Sequence, residues 1–209
     1  MVYDNDLGIT WAQDANLFQT MATSDPDLVD KIAAVTPTYN DAYWGMQTID
    51  AGDFNTATGT MTWWGAQAWV DYLNSVSYAG VTGWRLPAAD PYCGSNANCT
   101  GSELGHLFYS ELGAKAGDSI LDGAATELAK FTNIQSNMYW SGTEHAVGPS
   151  FAWDFSTHYG NQHYLEKGYL LYAWAVRSGD IATVPEPASL MLLGSGVAAW
   201  IGGVKRRRG

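Results

Sequence analysis

The sequence predicts an α+β fold followed by a transmembrane helix. Three observations carry this. Two segments with apolar residues at helical spacing lie between residues 62 and 112, short strand-like segments follow from residue 137, and an uncharged run from Ala188 to Val204 ends in Lys205, Arg206, Arg207 and Arg208. The 209 residues suffice for one domain with a sizeable core. Charged residues make up 15% and aromatics 13%, which fits a compact, loop-rich domain with aromatic anchors and excludes a disordered chain.

Taken in order, residues 2–11 read as two short strands around a turn at Asn5-Asp6. Residues 19–58, rich in Asp, Thr, Pro and Gly, read as irregular apart from a short helix near Leu28–Val35. Thr62 is placed to cap a helix running to Ser75, in which Trp64, Ala68, Trp69, Tyr72, Leu73 and Val76 recur at three and four. Gly80 to Pro87 is a turn into a short strand, ended by Pro87. Ser102 caps a second helix through Leu112, with Leu104, Leu107, Phe108 and Leu112 as its core stripe. Strands are expected over Met138–Ser141, Ser150–Ser156 and Gln162–Glu166, and as one longer strand over Tyr169–Arg177, with a hairpin turn at Tyr159-Gly160-Asn161. The division that follows is a domain over 1–178, a linker over 179–187, a membrane helix over 188–204 and a basic end over 205–209.

Charge is unevenly placed. Of the 21 acidic residues only Glu186 lies beyond residue 183, whereas four of the ten basic ones do. Residues 1–183 therefore carry 20 acidic groups against 6 basic, a net of −14. Such a body repels phosphate, which excludes a nucleic-acid partner.

The two cysteines, Cys93 and Cys99, bracket a Gly/Ser/Asn loop that bends easily, so in an oxidising compartment a disulfide is the expected product. The rival reading, half of a metal site, lacks a second Cys pair and a His at zinc-finger spacing.

In the tail, Val184-Pro185-Glu186-Pro187 precedes the apolar run. At helical rise that run spans about 25 Å, somewhat short of the roughly 30 Å hydrocarbon core, a gap that snorkelling of Lys205 can cover. The prolines mark the junction, and the basic cluster stays on the cytoplasmic side, leaving residues 1–183 outside. An ordinary single-pass anchor would have this shape. The order Pro-Glu-Pro, apolar helix, Arg cluster closely resembles the PEP-CTERM sorting signal of Gram-negative bacteria. That resemblance implies recognition by an exosortase as partner, export across the inner membrane, transient anchoring through 188–204, and a final place at the cell surface or in an exopolysaccharide or biofilm matrix. Met1-Val2-Tyr3-Asp4 has neither a basic region nor an apolar run, so an upstream signal peptide is expected to precede this sequence.

A second resemblance covers residues 2–178. Tyr3-Asp4, Leu7-x-Ile9-Thr10-Trp11 and Gln13-Asp14-Ala15-Asn16 resemble the start of DUF1566-type domains, also called Lcl C-terminal-like. So do Gly83-Trp84-Arg85-Leu86-Pro87 with Glu103-Leu104 downstream, Tyr139-Trp140-Ser141-Gly142-Thr143-Glu144, and Ala173-Trp174-Ala175-Val176-Arg177. This resemblance implies a C-type-lectin-like fold, with two helices packed on a small, mostly antiparallel sheet between long loops. It is related in shape to the formylglycine-generating enzymes.

The chemistry is sparse. Trp84, Arg85, Leu86, Pro87 and Arg177 read as structural. Trp84 belongs in the core, and Arg85, one of six cations in an acidic body, calls for a carboxylate partner, with a similar part for Arg177. Of His106, His145, His158 and His163, the last two flank the hairpin turn and would need Asp154 or Glu166 to hold a metal; as single side chains the four read as exposed and uncoordinated. Loop Asp and Asn side chains suit calcium, but no Asp-x-Asp-x-Asp-Gly spacing or lectin Glu-Pro-Asn loop occurs, so no cofactor is called for. No nucleophile elbow, His-Glu-x-x-His helix or phosphate loop is present. Trp44, Trp63, Tyr92, Tyr159 and Tyr164 either pack under the loops or stand at loop tips as contacts for a ligand. The expected function is a non-enzymatic binding module for an extracellular glycan or protein. The alternatives are a structural matrix or filament subunit and, more remotely, an enzyme of the formylglycine-generating type.

Overall fold

The computed structural model describes residues 1–180, and these form an α+β structure with three sheets. The first strands, β1 (Val2–Asp4) and β2 (Ile9–Trp11), form the expected hairpin. Next come α1 (Leu17–Ser24), α2 (Leu28–Val35) and a two-stranded hairpin of β3 (Thr38–Asp41) and β4 (Gly45–Thr48). The short strands β5 (Phe54–Asn55) and β6 (Thr60–Met61) lead into α3 (Trp63–Ser75). After β7 (Trp84–Arg85), α4 (Glu103–His106) continues directly into a π-helical turn, Leu107–Glu111, and α5 (Ala125–Leu128) follows. The remaining strands are β8 (Met138–Glu144), β9 (Phe151–Ser156), β10 (Asn161–Glu166), β11 (Leu171–Tyr172) and β12 (Val176–Ser178).

One sheet has the order β1-β2-β12-β7 and the largest has β10-β9-β8-β11-β6-β5. All pairings are antiparallel except β11 with β8. The last described strand joins the N-terminal hairpin, since Val176 pairs with Trp11 of β2 and the Gly179 amide donates to the Gly8 carbonyl at 2.8 Å.

Two expectations are corrected here. The expected Leu28–Val35 helix is present as α2, but the rest of residues 19–58 is not irregular: it holds most of α1, the β3–β4 hairpin and β5. Their turn-forming residues mark the ends of short elements rather than a long loop. Tyr169–Arg177 is not one strand. Ala173, Trp174, Ala175 and Val176 are buried in succession, which the two-sided alternation of a strand on a half-exposed sheet does not produce. The chain leaves the large sheet after Tyr172 and enters the smaller one at Val176. The crossing is held by Trp174, whose ring packs on Trp11, Phe131 and Tyr139 at 5.1–5.6 Å and whose Nε1 donates to the Ala12 carbonyl at 2.8 Å. The two packed helices and the short Leu28–Val35 helix read from sequence are thus joined by α1 and α5, and a single small sheet by two others.

Both expected caps are present. Thr62 Oγ1 accepts from the Gly65 amide and Ser102 Oγ from the Gly105 amide, each at 3.0 Å. The buried face of α3 is broader than the predicted stripe, taking in Trp63, Ala66 and Val70, whereas Val76 is exposed. Helix α3 is flanked by α2, β7 and β8, so only a narrow strip through Asp71 reaches water.

Candidate functional site

Three surface features rise above the core. The first is the β3–β4 hairpin. Asp41 at the end of β3 accepts from the Tyr43 and Trp44 amides at 2.8 Å through one oxygen. Through the other it accepts from Trp64 Nε1 at 2.9 Å and from Lys167 Nζ at 2.5 Å. Lys167 is fully buried, also pairs with Glu144 at 2.5 Å, and lies 4.6 Å over the Trp63 ring. Burial pushes the Asp41 carboxyl up, but the Lys167 ammonium and the three N–H donors outweigh it and hold the group at about 2. Beyond this anchor the tip carries Tyr43 and Trp44, 59% and 52% exposed, edge to face at 5.0 Å. The same anchor buries Trp63, which is 1% exposed, packs on Tyr39 and donates from Nε1 to the Ser141 carbonyl. Trp63 is therefore no surface contact: as the first residue of α3 it lies beneath the hairpin rather than at its tip.

The second feature is the β9–β10 turn. Tyr159 is 58% exposed and packs edge-on against His158 at 4.3 Å. Both border an open depression of about 220 Å³ whose lining includes Ser136, Asn137, Met138 and Ser156. His158 Nδ1 is 2.9 Å from Ser136 Oγ, which in turn bonds Ser119 Oγ. The turn is shaped by Gly160, with φ of +72° and so little space that a Cβ would sit 2.6 Å from the Phe108 ring.

The third is the Cys93–Cys99 loop, closed by a disulfide with 5.7 Å between the Cα atoms. It docks on the outer edge of β10. Gln162, buried, accepts from the Asp90 amide at 2.9 Å and donates to the Asp90 and Gly94 carbonyls, while its own amide donates to the Asn96 carbonyl at 2.9 Å. The loop therefore covers a strand edge that would otherwise be open to pairing with another chain. Tyr92, in the segment leading into it, is fully exposed.

The other sequence candidates are placed as follows. Trp84 is buried, and Arg85 forms a two-pronged bridge to Glu103 at 2.7 Å on each prong, with Glu103 also accepting from the Ala88 amide. That bridge raises the already high Arg85 pKa and ties β7 to α4. Leu86 is buried, and the Pro87 carbonyl accepts from the Gly142 amide. Arg177 donates to the carbonyls of Thr82 and Gly179. Tyr164 lies within a cluster of rings formed by His145, Phe151, Trp153 and His163, so it is half-buried rather than presented. The histidines are not uniformly exposed: His158 is, whereas His106, His145 and His163 are partly covered. His158 and His163 do not meet across the turn, because the register sets His163 opposite Asp154 and leaves His158 in the turn itself. Asp154 is buried, its oxygens accept no hydrogen bond, and the nearest cationic candidate, His163 Nδ1, is 3.7 Å away. Desolvation pushes its carboxyl up to about 7. Sequence reasoning missed the Asp41–Lys167 pair entirely, since neither residue sits in a motif.

Among the described residues no helix is long and apolar enough to cross a membrane. Val184, Pro185, Glu186, Pro187, the 188–204 span and Lys205 to Arg208 lie outside them.

A disulfide-closed α+β domain with aromatic rings raised on anchored turns, followed by a terminal sorting signal, defines the class: an exported domain. Residues 1–177 match the Lcl C-terminal domain, and the chain belongs to that family. Residues 183–208 match the PEP-CTERM protein-sorting motif, the signal an exosortase recognises, so this is an exosortase-sorted protein of the Gram-negative export route. No curated protein matches the chain.

Proposed function

We propose that the domain is a non-enzymatic binding module for an extracellular glycan, carried to the cell surface or matrix by its sorting signal and held for a time by a 188–204 membrane helix. The observation that carries this reading is the exposed Tyr159 ring at a depression that sets the side chains of Asn137, Ser156 and His158 beside the apolar surface of Met138. A sugar offers a C–H face to such a ring and hydroxyls to amide and hydroxyl partners beside it. The acidic body favours a neutral or amino-bearing glycan over a polyanionic one. A C-type-lectin-like arrangement of the sheets and an exopolysaccharide or biofilm setting accord with this reading. The tip of the β3–β4 hairpin favours a second one: Tyr43, Trp44 and Met46 form a protruding apolar group suited to a protein partner.

The full chain in detergent, screened on a glycan array with and without calcium, tests both. Tyr159→Ala is expected to lower retention of neutral glycans at least tenfold while Trp44→Ala leaves it unchanged. Loss with Trp44→Ala alone would move the site to the hairpin, and no glycan retained by the unaltered chain would sink the glycan reading.

A further inference from the structure

Away from the three surface features, the turn after β1 faces the end of α4. Asp4, on β1, has a side chain only 2% exposed. One of its oxygens is used by the amides of Asp6 and Leu7, at 3.0 and 2.9 Å. The other, Oδ2, is buried with no hydrogen-bond partner, and so is His106 Nε2. Leaving a buried carboxylate oxygen and a buried ring nitrogen both unmatched is costly. Here the two atoms face each other at 4.0 Å, and Glu111 Oε1 is 3.5 Å from the same nitrogen. The three ligand atoms all lie within 4.8 Å of one another. These separations are too long for hydrogen bonds. They suit a shared ion: two ligands each about 2.0–2.1 Å from a tetrahedral metal lie roughly 3.4 Å apart.

The backbone is shaped to the same end. A regular helix turns by about 100° per residue, which would swing Glu111 roughly 140° away from His106. Instead the Leu112 amide donates to the Leu107 carbonyl, five residues back, at 2.9 Å. The wider π turn brings position 111 beneath position 106, and such turns recur at functional sites. Asp6, 72% exposed, places an oxygen 4.0 Å from His106 Nε2 from the solvent side. A small pocket lined by Val2, Tyr3, Leu107 and Phe131 opens beside Asp4 and Glu111 and supplies a way in.

We propose that Asp4, His106 and Glu111 bind a divalent transition-metal ion, with Asp6 or water completing the shell. The imidazole nitrogen selects zinc-like ions over calcium, which takes an all-oxygen shell. The ion would clamp the β1–β2 turn to α4, joining segments a hundred residues apart in sequence. This site is independent of the glycan reading.

The test is titration of the chelator-stripped full chain in detergent with Zn²⁺, followed by calorimetry and melting, with Co²⁺ absorption to report coordination. One equivalent is expected to bind at micromolar Kd or tighter, to raise Tm, and to give the visible bands of a tetrahedral cobalt centre. Glu111→Gln, at a partly exposed position that should fold, and His106→Asn are each expected to weaken binding at least a hundredfold. His163→Ala and His158→Ala should leave it unchanged. No saturation below about a hundred times that Kd, equal binding by Glu111→Gln, or loss of the ion with His163→Ala would each overturn the assignment.

Discussion

Two aspartates, Asp41 and Asp154, are both almost without solvent exposure in the same domain and have opposite chemistry. Asp41 ends an isolated hairpin and is met by an ammonium and three N–H groups; its carboxyl sits at about 2. Asp154 is in the interior of β9 in the largest sheet, is met by none, and sits at about 7. Burial acts in the same direction on both. What separates them is that Asp154 is enclosed more deeply and no donor reaches it, whereas Asp41, at the turn end of β3, is reached by four. A strand interior has its amides committed to neighbouring strands, so it has no backbone donors to spare. A turn has free amides, and Asp41 takes two of them. The difference also assigns roles: the charged pair fixes the hairpin and its exposed rings, while Asp154 is a strained element of the sheet.

The largest effect is expected from removing the cation. Lys167→Met leaves Asp41 and Glu144 without their charge partner, and urea unfolding at pH 7 should show a loss of about 3–5 kcal/mol, the cost of breaking a buried pair from one side. A loss below about 1 kcal/mol would mean that water reaches Asp41 and that the contrast is false. Next is Asp154→Asn. A carboxyl raised from 3.8 to about 7 opposes folding when ionised, and at about 1.4 kcal/mol per pKa unit the penalty above pH 7 is on the order of 2–4 kcal/mol. The amide should therefore stabilise the domain by that amount at pH 8 and by almost nothing at pH 4.

The same comparison predicts a pH profile for the unaltered chain. Between about pH 4 and pH 7 the native state holds the Asp154 proton more tightly than the unfolded chain does, so stability from this group falls as pH rises across that window. For Asp41 the sign is reversed: its contribution is complete above its ordinary value near 4 and is lost as pH falls toward 2. Urea midpoints from pH 3 to pH 8 should lose the upper slope in Asp154→Asn and keep the lower one; loss of both slopes would show that the two groups are coupled. The smallest effect is at the tip. Trp44 is half exposed and its ring touches only Tyr43 among the described aromatics, so Trp44→Ala should change stability by less than about 0.5 kcal/mol. A larger loss would make the tip part of the fold rather than a surface it carries.

The elements with local causes were legible. The β1–β2 hairpin, the caps at Thr62 and Ser102, and the Cys93–Cys99 loop each depend on residues within a few positions of one another, and each is present. The 169–177 segment misled because alternation along a chain cannot report that small alanines let it pass buried between two sheets. Which of its two readings Trp63 would follow was not legible, because its burial depends on a hairpin that precedes it and a lysine that follows it by about a hundred residues. The Asp4, His106 and Glu111 group had no signal at all, for its members share no spacing and meet only through a π turn.

By itself the sequence determined where the capped helices begin, the acidic balance of the body and the route of the protein, because caps, charge and a linear sorting motif are written in neighbouring residues. The tertiary structure alone decided which carboxylates are charged, which aromatics face water and which distant side chains converge. Those properties are set by what lies within a few ångströms in space, and chain order does not record it.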